Sequence, residues 1–393
     1  MVNYVLASEE AKELAAIARQ ILEDNLKPRI EELENADGGL GVYPMDVHQM
    51  LVDAGFFAMY IPEEWGGLGL DPVTQGVIME EMGKVDAGFA FTFAGAGCYF
   101  NQLMHTHLSK EEKQEWVDRI LAGAMGTLAL TEAGAGSDAA AIRTTAKYDP
   151  ETKEWILNGT KCFISSAPNA EYYIVAAWTD KTKRASQGVT AFWVEKSRGV
   201  QVGKKENKMG LHLSETAEII LDDVRVPEKY VIGEVGKGFG VALGGIKGAT
   251  AIVNCAPNLG MAQAALDTAI EYAKDRRQFG KRIADFQGIS FMIADMRIRT
   301  EASRALMYEA LTAARDGVDC DLDLMLKTFI ADNTMQTCTD AVQVLGGYGY
   351  MKDYPVERYM RNAKIFQIFG GTNQIKRKNL AKAMFGRDPQ ASK

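Results

Sequence analysis

The chain has 393 residues, enough for about two to three domains at roughly 100–200 residues each, and its 47% apolar and 24% charged content is that of an ordinary globular protein. With 52 acidic against 44 basic residues the net charge is -8, so no basic field exists to gather phosphate backbones or anionic lipid, which excludes nucleic-acid and membrane-surface roles. Five cysteines, Cys98, Cys162, Cys255, Cys320 and Cys338, are scattered, odd in number and without a Cys-x-x-Cys pair, which reads as a reducing cytoplasm with neither a disulfide framework nor a metal site.

The N-terminus, MVNYVLASEEAKEL, runs directly into an acidic helical pattern without the basic and then apolar order of a signal peptide. Ser8 precedes Glu9 and Glu10, and Leu14, Ala15, Ile17, Ile21 and Leu22 recur at near-helical spacing, so a capped amphipathic helix is predicted. The turn IPEEWGGLGLD ends a helix and Asp71-Pro72 begins the next. Residues 87–109 carry no charge and are long enough to span a bilayer, yet Thr92, Asn101, Gln102, His105, Thr106 and His107 favour a buried helix. From about 126 to 233 the texture changes to short β runs, GTLAL, WILNGTKCFI, YYIVAAW, VTAFWV and AEIILDDVRVP, separated by Gly, Asn, Asp and Pro turns. Beyond 238 three long apolar-periodic stretches follow, at 240–275, 283–316 and 322–345. The fold class is therefore α+β and multidomain: an all-α N-terminal domain at 1–125, a β-sandwich or barrel at 126–235, and an antiparallel four-helix bundle at 236–393.

Four glycine-bearing motifs punctuate this order. TEAGAGSDAAA at 131–141 resembles a dinucleotide loop but fails that test, because TTAKYD and EWILNG follow as strands where the fingerprint needs a helix. It is a glycine-rich interstrand loop, with backbone N–H groups, Thr131 and Ser137 available to a cofactor's edge or phosphates. DRRQFGKRIADFQ at 275–287 sets Arg276 and Phe279 three apart, a spacing suited to pairing a phosphate and covering an aromatic ring, against the plainer reading of a solvated charge cluster. Gly346-Gly347 reads as a helix C-cap, and Gly370-Gly371 stands just before a helix, where exposed N–H groups favour an anion or a carbonyl oxygen.

Taken jointly, in order and spacing over nearly the whole chain, these segments resemble the acyl-CoA dehydrogenase family of flavoproteins. The carrying stretches are IPEEWGGLG at 61, LTEAGAGSD at 130, LNGTKCFIS at 157, KMGLHLSET at 208, DDVRVP at 222, RRQFGKRIADFQ at 276, QVLGGYGYMKDYPVER at 343 and FGGTNQIKR at 369. The resemblance implies a homotetramer that binds FAD, acts on an acyl-CoA and passes electrons to an electron-transferring flavoprotein. It places Leu128, Leu130, Thr131, Gly136 and Ser137 on one side of the flavin and Phe163 and Ser165 along its ring. Arg276, Phe279 and Gln287, with Gln343 and Gly347, correspond to adenine and pyrophosphate contacts made across subunits, and Thr372 and Gln374 return to the cofactor near the chain's end.

The family's base is a Glu in a Tyr-Glu-Gly-Thr stretch, and here that stretch reads Phe369-Gly370-Gly371-Thr372. Some relatives carry the Glu, followed by Arg, on the first helix of the C-terminal domain; the matching residues are Thr250 and Ala251. Three readings follow: an engineered Glu-to-Gly change in an ordinary short-chain enzyme, a catalytically degenerate flavin- and CoA-binding protein, or a base that moved with the substrate. The helix after Val85, which lines the acyl end in this family, supports the third. Its Phe89, Phe91, Cys98 and Tyr99, with Thr250 and Phe369, suit an apolar, cyclic or branched acyl or enoyl group, while a desulfinase or other lyase acting on an anionic tail would want a guanidinium there. Gly370 N–H remains the expected donor to the thioester carbonyl, Asp86 is the one carboxylate of that helix, and Thr250, Tyr348, Tyr99 and Cys98 are weaker proton acceptors.

Overall fold

Ser8 accepts a hydrogen bond from the Ala11 amide at 3.0 Å and so opens α1 (Glu9–Asn25), whose Ala11, Ala15, Ala18 and Leu22 form the buried face. The computed structural model describes residues 7–243, 250–318 and 322–386; Cys320 and part of the predicted stretch 240–275 lie outside them. Helices continue through α2 (Ile30–Gly39), α3 (Met45–Asp53), α4 (Pro72–Val85), α5 (Ala87–Gly97), α6 (Phe100–Met104) and α7 (Lys110–Leu121). Carboxylate caps start two of them: Asp71 accepts from the Val73 and Thr74 amides, and Asp86 accepts from Phe89 N at 2.8 Å. The uncharged run is thereby divided between α5 and α6, and no helix among the described residues is long and apolar enough to cross a membrane.

The strands β1 (Gly126–Ala129), β2 (Thr145–Asp149), β3 (Glu154–Ser165), β4 (Tyr172–Trp178), β5 (Val189–Glu195), β6 (Gln201–Lys205), β7 (Thr216–Pro227) and β8 (Val231–Ile232), with the one-turn α8 (Ala185–Gly188), make the middle layer. They form one eight-stranded sheet in the order β6-β7-β3-β2-β4-β5-β8, and β1 lies parallel to β4. Only the pair Thr145–Trp178 joins β2 to β4, so the sheet bends at that narrow joint. Its two halves face each other across a shared core, where Trp155 of β3 meets Phe192 of β5 with ring centroids 5.7 Å apart. This is the sandwich that the alternating runs predict.

The C-terminal layer comprises α9 (Gly238–Leu243), a π-helical turn at Thr250–Cys255, α10 (Ala256–Asp275), a small hairpin of β9 (Arg277–Gln278) and β10 (Lys281–Arg282), α11 (Gln287–Arg315), α12 (Leu322–Leu345), α13 (Val356–Phe366) and α14 (Asn373–Phe385). Gly346, at φ +60, ends α12 with the expected left-handed cap. The hairpin is not legible in the sequence, since RQFGKR has no alternating apolar face.

The N-terminal and C-terminal helices touch backbone to backbone where α4 crosses α10. A Cβ on Gly260 would run into the Glu80 carbonyl oxygen, and one on Gly83 into that of Pro257. Beside the crossing, Arg304 of α11 donates to Glu80 at 2.9 Å and to Gln263 at 2.8 Å, and the Tyr308 hydroxyl donates to Glu80 at 3.3 Å. All four side chains are buried or nearly so, and each polar atom of the Glu80 carboxylate is met. Gly260→Ala is therefore expected to separate the helices and lower stability by about 1–3 kcal/mol, the usual cost of overpacking, measured as a fall in thermal midpoint. An unchanged midpoint would contradict the close crossing.

Candidate functional site

α5 is buried along most of its length, as AGFAFTFAGAG demands, but Phe91 and Gly95, together with Cys98 and Tyr99 just past its end, keep partial exposure. Spaced i, i+4, i+7 and i+8, these four form one stripe, the least buried face of this segment. The Phe91 ring stacks on Phe369 at 4.6 Å and 29°, and Phe366 stands edge-on to both, at 6.3 Å and 5.0 Å. Gly95 faces Val253 of the π-helical turn. Phe89, expected in this pocket, is instead a core residue: it stacks on Tyr43 at 5.1 Å, while Phe93 meets His48 and Phe57 edge-on. The physical reason is helical phase, because the face shared by Phe89 and Phe93 is turned to the N-terminal helices and Phe91 alone of the three looks the other way.

Below Phe369 the chain makes a left-handed turn, with Gly370 at φ +61 and Gly371 at φ +84, conformations that any other residue type adopts only with strain. Thr372 then caps α14 by accepting from Ile375 N at 3.2 Å. The turn is clasped from α12. Lys327 Nζ donates to the Gly371 carbonyl at 2.8 Å and to Asn373 Oδ1 at 3.0 Å. Asp332 accepts from Gln367 at 2.7 Å, Asn373 at 2.8 Å and Arg377 at 2.6 Å. Burial lowers the Lys327 amine to about 8, with Lys376 acting in the same direction and Cys255 and Asp332 against it. Lys327 and Asp332 escaped the sequence reading; the available signal was a lysine on the buried face of LMLKTFIA, between Leu326 and Ile330.

No carboxylate stands where the usual base begins, and a side chain on Gly370 would meet Asn254 Oδ1 at 3.2 Å. Thr250 and Ala251 both lie on the π-helical turn, Ala251 fully buried. Asp86 is engaged as the cap of α5; burial raises its carboxyl, and the Arg358 charge only partly offsets this. Burial also pushes the Cys98 thiol up to about 12 and the Tyr99 hydroxyl well above its ordinary value, so neither ionises near neutrality. Tyr348 belongs to a different place, a groove on the bundle described below.

On the sheet, the chain beyond β1 runs beside the end of β3. Cys162 N donates to Thr131 O at 2.9 Å, and Thr127 Oγ1 donates to Ser165 O at 2.6 Å. Leu128, Leu130 and Thr131 are thereby brought alongside Phe163 and Ser165. The loop that follows hangs on Glu132, which accepts from Arg143 N at 2.6 Å, Thr144 N at 3.0 Å, Thr144 Oγ1 at 2.6 Å and the fully buried Lys161 Nζ at 2.9 Å. Burial alone would raise that carboxyl, but the bonds from Thr144 and Lys161 prevail and hold it below its ordinary value. Gly136 and Ser137 are exposed at the rim, and no atom lies within 4 Å of a Cβ placed on Gly136.

The remaining expected contacts lie on the bundle. Arg276, Phe279 and Gly347 line a groove of about 710 Å³ with Tyr272, Phe286 and Tyr348, and Gln287 and Gln343 are exposed on α11 and α12. Arg282 is bound to Asp285, but no carboxylate pairs with Arg276 among the described residues; its guanidinium lies 5.6 Å from the Tyr348 ring centre. Phe279 is 93% exposed at φ +51, and Phe163 on the sheet is 61% exposed at φ +58. Thr372 and Gln374 stand at the start of α14. Two aromatic rings held outward on left-handed backbone, an unpaired guanidinium and open glycine positions fit FAD, which needs stacking surfaces for its rings and a cation for its phosphates.

Comparison with known proteins covers almost the whole chain. Residues 8–124, 127–224 and 236–385 match the N-terminal, middle and C-terminal domain models of acyl-CoA dehydrogenase. A probable acyl-CoA dehydrogenase of Mycobacterium leprae is 41% identical over 385 residues, covering 96% of this chain and 95% of its own. CarC, a subunit of the caffeyl-CoA reductase-Etf complex of Acetobacterium woodii, is 37% identical, covering 94% and 96%. The structure of butyryl-CoA dehydrogenase from Megasphaera elsdenii superposes with a TM-score of 0.90 at 36% identity, covering 98% and 99%. A glutaryl-CoA dehydrogenase from Mycobacterium smegmatis, solved with FADH2, gives 0.88 at 26% identity, covering 98% and 97%.

Glu132→Gln leaves Lys161 buried without its anion, so it is expected to cost about 3–5 kcal/mol, read as a fall in thermal midpoint. Adding Lys161→Met removes the stranded charge and recovers most of the loss. Since the Glu132 carboxyl is depressed in the fold, its contribution is present above the ordinary carboxylate range and fades as pH falls through the folded value. An unchanged midpoint in the single variant would show that the loop does not hang on this pair.

Proposed function

The chain belongs to the acyl-CoA dehydrogenase family, and from that premise we propose that it oxidises or reduces a CoA thioester whose acyl part is apolar and cyclic or branched, using a base other than the usual Glu. It is an acyl-CoA dehydrogenase-type oxidoreductase with FAD as cofactor. The observation that carries the substrate proposal is the turn at Gly370, left-handed, without a carboxylate and walled by Phe91, Phe366 and Phe369. An engineered Glu-to-Gly change explains less, because Ala251 is also empty of the family's Arg and φ +61 is native to glycine. The α5 face offers no guanidinium for a sulfinate, which argues against a desulfinase.

In this reading Leu128, Leu130, Thr131, Gly136, Ser137, Phe163 and Ser165 hold the flavin end of the cofactor, with Thr372 and Gln374. Arg276, Phe279, Gln287, Gln343 and Gly347 take the pyrophosphate and adenine of a neighbouring copy. A homotetramer is supported by the exposed Phe279, Phe291 and Ile298 on and beside α11, large apolar groups that a monomer would leave in water. FAD, when bound, supplies the hydride acceptor or donor. The Gly370 N–H donates to the thioester carbonyl oxygen and so acidifies the neighbouring carbon, and the Lys327 and Asp332 clasp fixes the direction of that N–H. The phenylalanine wall excludes water and fills the space around a bulky acyl group. Asp86, which also caps α5, and Thr250 are the candidate acceptors of a proton that lies away from the usual α-position. An electron-transferring flavoprotein is the proposed redox partner, supported by the Etf complex to which the Acetobacterium relative belongs. A cytoplasmic setting completes the proposal.

Anaerobic mixing of the FAD-loaded protein with a panel of acyl-CoAs tests it. Cyclic or branched thioesters should bleach the flavin, whereas butyryl- to octanoyl-CoA should do so about 10²- to 10⁴-fold more slowly than a family member with its base in place. Oxidation of butyryl-CoA at an ordinary enzymatic rate, about 1 to 10³ per second, would sink the relocated base. A flavin perturbed by every thioester and bleached by none would establish the degenerate protein instead. Gly370→Glu combined with Asn254→Ala, which clears the space beside it, should raise the straight-chain rate despite about 1–2 kcal/mol of left-handed strain. Asp86→Asn keeps an N-cap of equal quality, so it should lower turnover by about 10²-fold or more while FAD content and thermal midpoint hold; unchanged turnover would remove Asp86 as the base.

A further inference from the structure

The space beside Gly370 is bordered by an amide. A side chain at 370 would begin 3.2 Å from Asn254 Oδ1 and 3.6 Å from its Nδ2. Asn254 belongs to the π-helical turn Thr250–Cys255, and such wide turns re-aim the side chains they carry. Its neighbours Ala251, Ile252, Val253 and Cys255 are buried, whereas Asn254 keeps partial exposure. Val253, next in the chain, meets Gly95 of α5, which sets this turn against the stripe that Phe91 begins. Among the described residues the Asn254 amide has no hydrogen-bond partner. Set among buried apolar neighbours, this amide is free to pair with a bound molecule in place of water.

The charge on the cleft walls narrows what that molecule carries. Lys327, the cation nearest in the chain's own wiring of this turn, is committed to the Gly371 carbonyl and Asn373. A neutral amide that both donates and accepts suits a neutral oxygen substituent better than a second carboxylate. We propose that Asn254 recognises one hydroxyl or oxo oxygen close to the reacting carbons of an otherwise apolar acyl group, so that acyl-CoAs carrying that oxygen are preferred over their plain hydrocarbon analogues. The proposal rests on the reading of this cleft as the acyl site and adds a polar requirement to its aromatic wall. A site built to hydrogen-bond a substrate oxygen discriminates against the analogue that lacks it, because the amide is then left unpaired.

The test uses the FAD-loaded protein, titrated with 3-hydroxybutyryl-CoA and with butyryl-CoA, the smallest members of the two classes, and followed by perturbation of the flavin spectrum. The wild-type protein is expected to bind the hydroxyacyl thioester at least about tenfold more tightly. Asn254→Leu, close to asparagine in shape, should erase that preference while retaining FAD and binding butyryl-CoA at least as well. Asn254→Ala serves in its place if the leucine variant does not retain FAD. Equal ratios in wild type and variant overturn the proposal while leaving the acyl site standing. No perturbation by either thioester in an FAD-replete wild-type protein overturns both the proposal and the acyl-site reading beneath it.

Discussion

Two consecutive glycines at positive φ shape the turn between α13 and α14, and much of the surrounding structure serves to hold that short turn still. A left-handed pair cannot be stabilised by its own side chains, so its order has to come from elsewhere. Here it comes from α12, where a buried lysine grips the Gly371 carbonyl and an aspartate gathers Gln367, Asn373 and Arg377. The helices on either side of the turn are therefore coupled through one polar cluster. Hydrogen bonds that involve a charged partner are each worth about 1.5–3 kcal/mol, enough together to outweigh the conformational entropy of a few residues.

A similar arrangement supports the sheet side of the site. Glu132 and Lys161 form a buried pair behind the loop that carries Thr131, Gly136 and Ser137, so a glycine-rich segment with few contacts of its own is fixed from beneath. In both places the residues that would touch cofactor or substrate are glycines, hydroxyls and outward rings, and the rigidity is supplied by buried ions one layer behind. The close crossing of α4 on α10, with Glu80 and Arg304 beside it, ties the N-terminal helices to the same bundle. Phe91 of α5 packs on Phe366 and Phe369 at the other side of this contact, so any loosening of the crossing would be felt at that aromatic cluster.

Much of this was legible from residue order alone. The Ser8 and Asp71 caps, the β runs and the described parts of the three periodic stretches of the bundle each follow from local rules, and the structure has helices and strands there, with the π-helical turn at Thr250–Cys255 as the departure. What escaped was set by contacts distant in sequence. Phe89 and Phe91 differ by two residues in one uncharged helix, and nothing local says which face meets Tyr43 and which meets Phe369. Lys327 gives a weak sign of itself, a charge on an apolar face, but its target is 44 residues away. Asn254 looks like an ordinary helical residue until the π-helical turn sets it beside Gly370.

The central claim is that no carboxylate reaches the α-carbon of a straight-chain thioester, and proton exchange measures this without relying on turnover. Butyryl-CoA bound to the FAD-loaded protein in D2O, followed by NMR, should keep its α-protons about 10²-fold or more longer than in the Gly370→Glu, Asn254→Ala protein, because a positioned base is worth at least that factor. Exchange in the unaltered protein as fast as in that variant would contradict the claim, since it would require a competent base already present at the α-carbon.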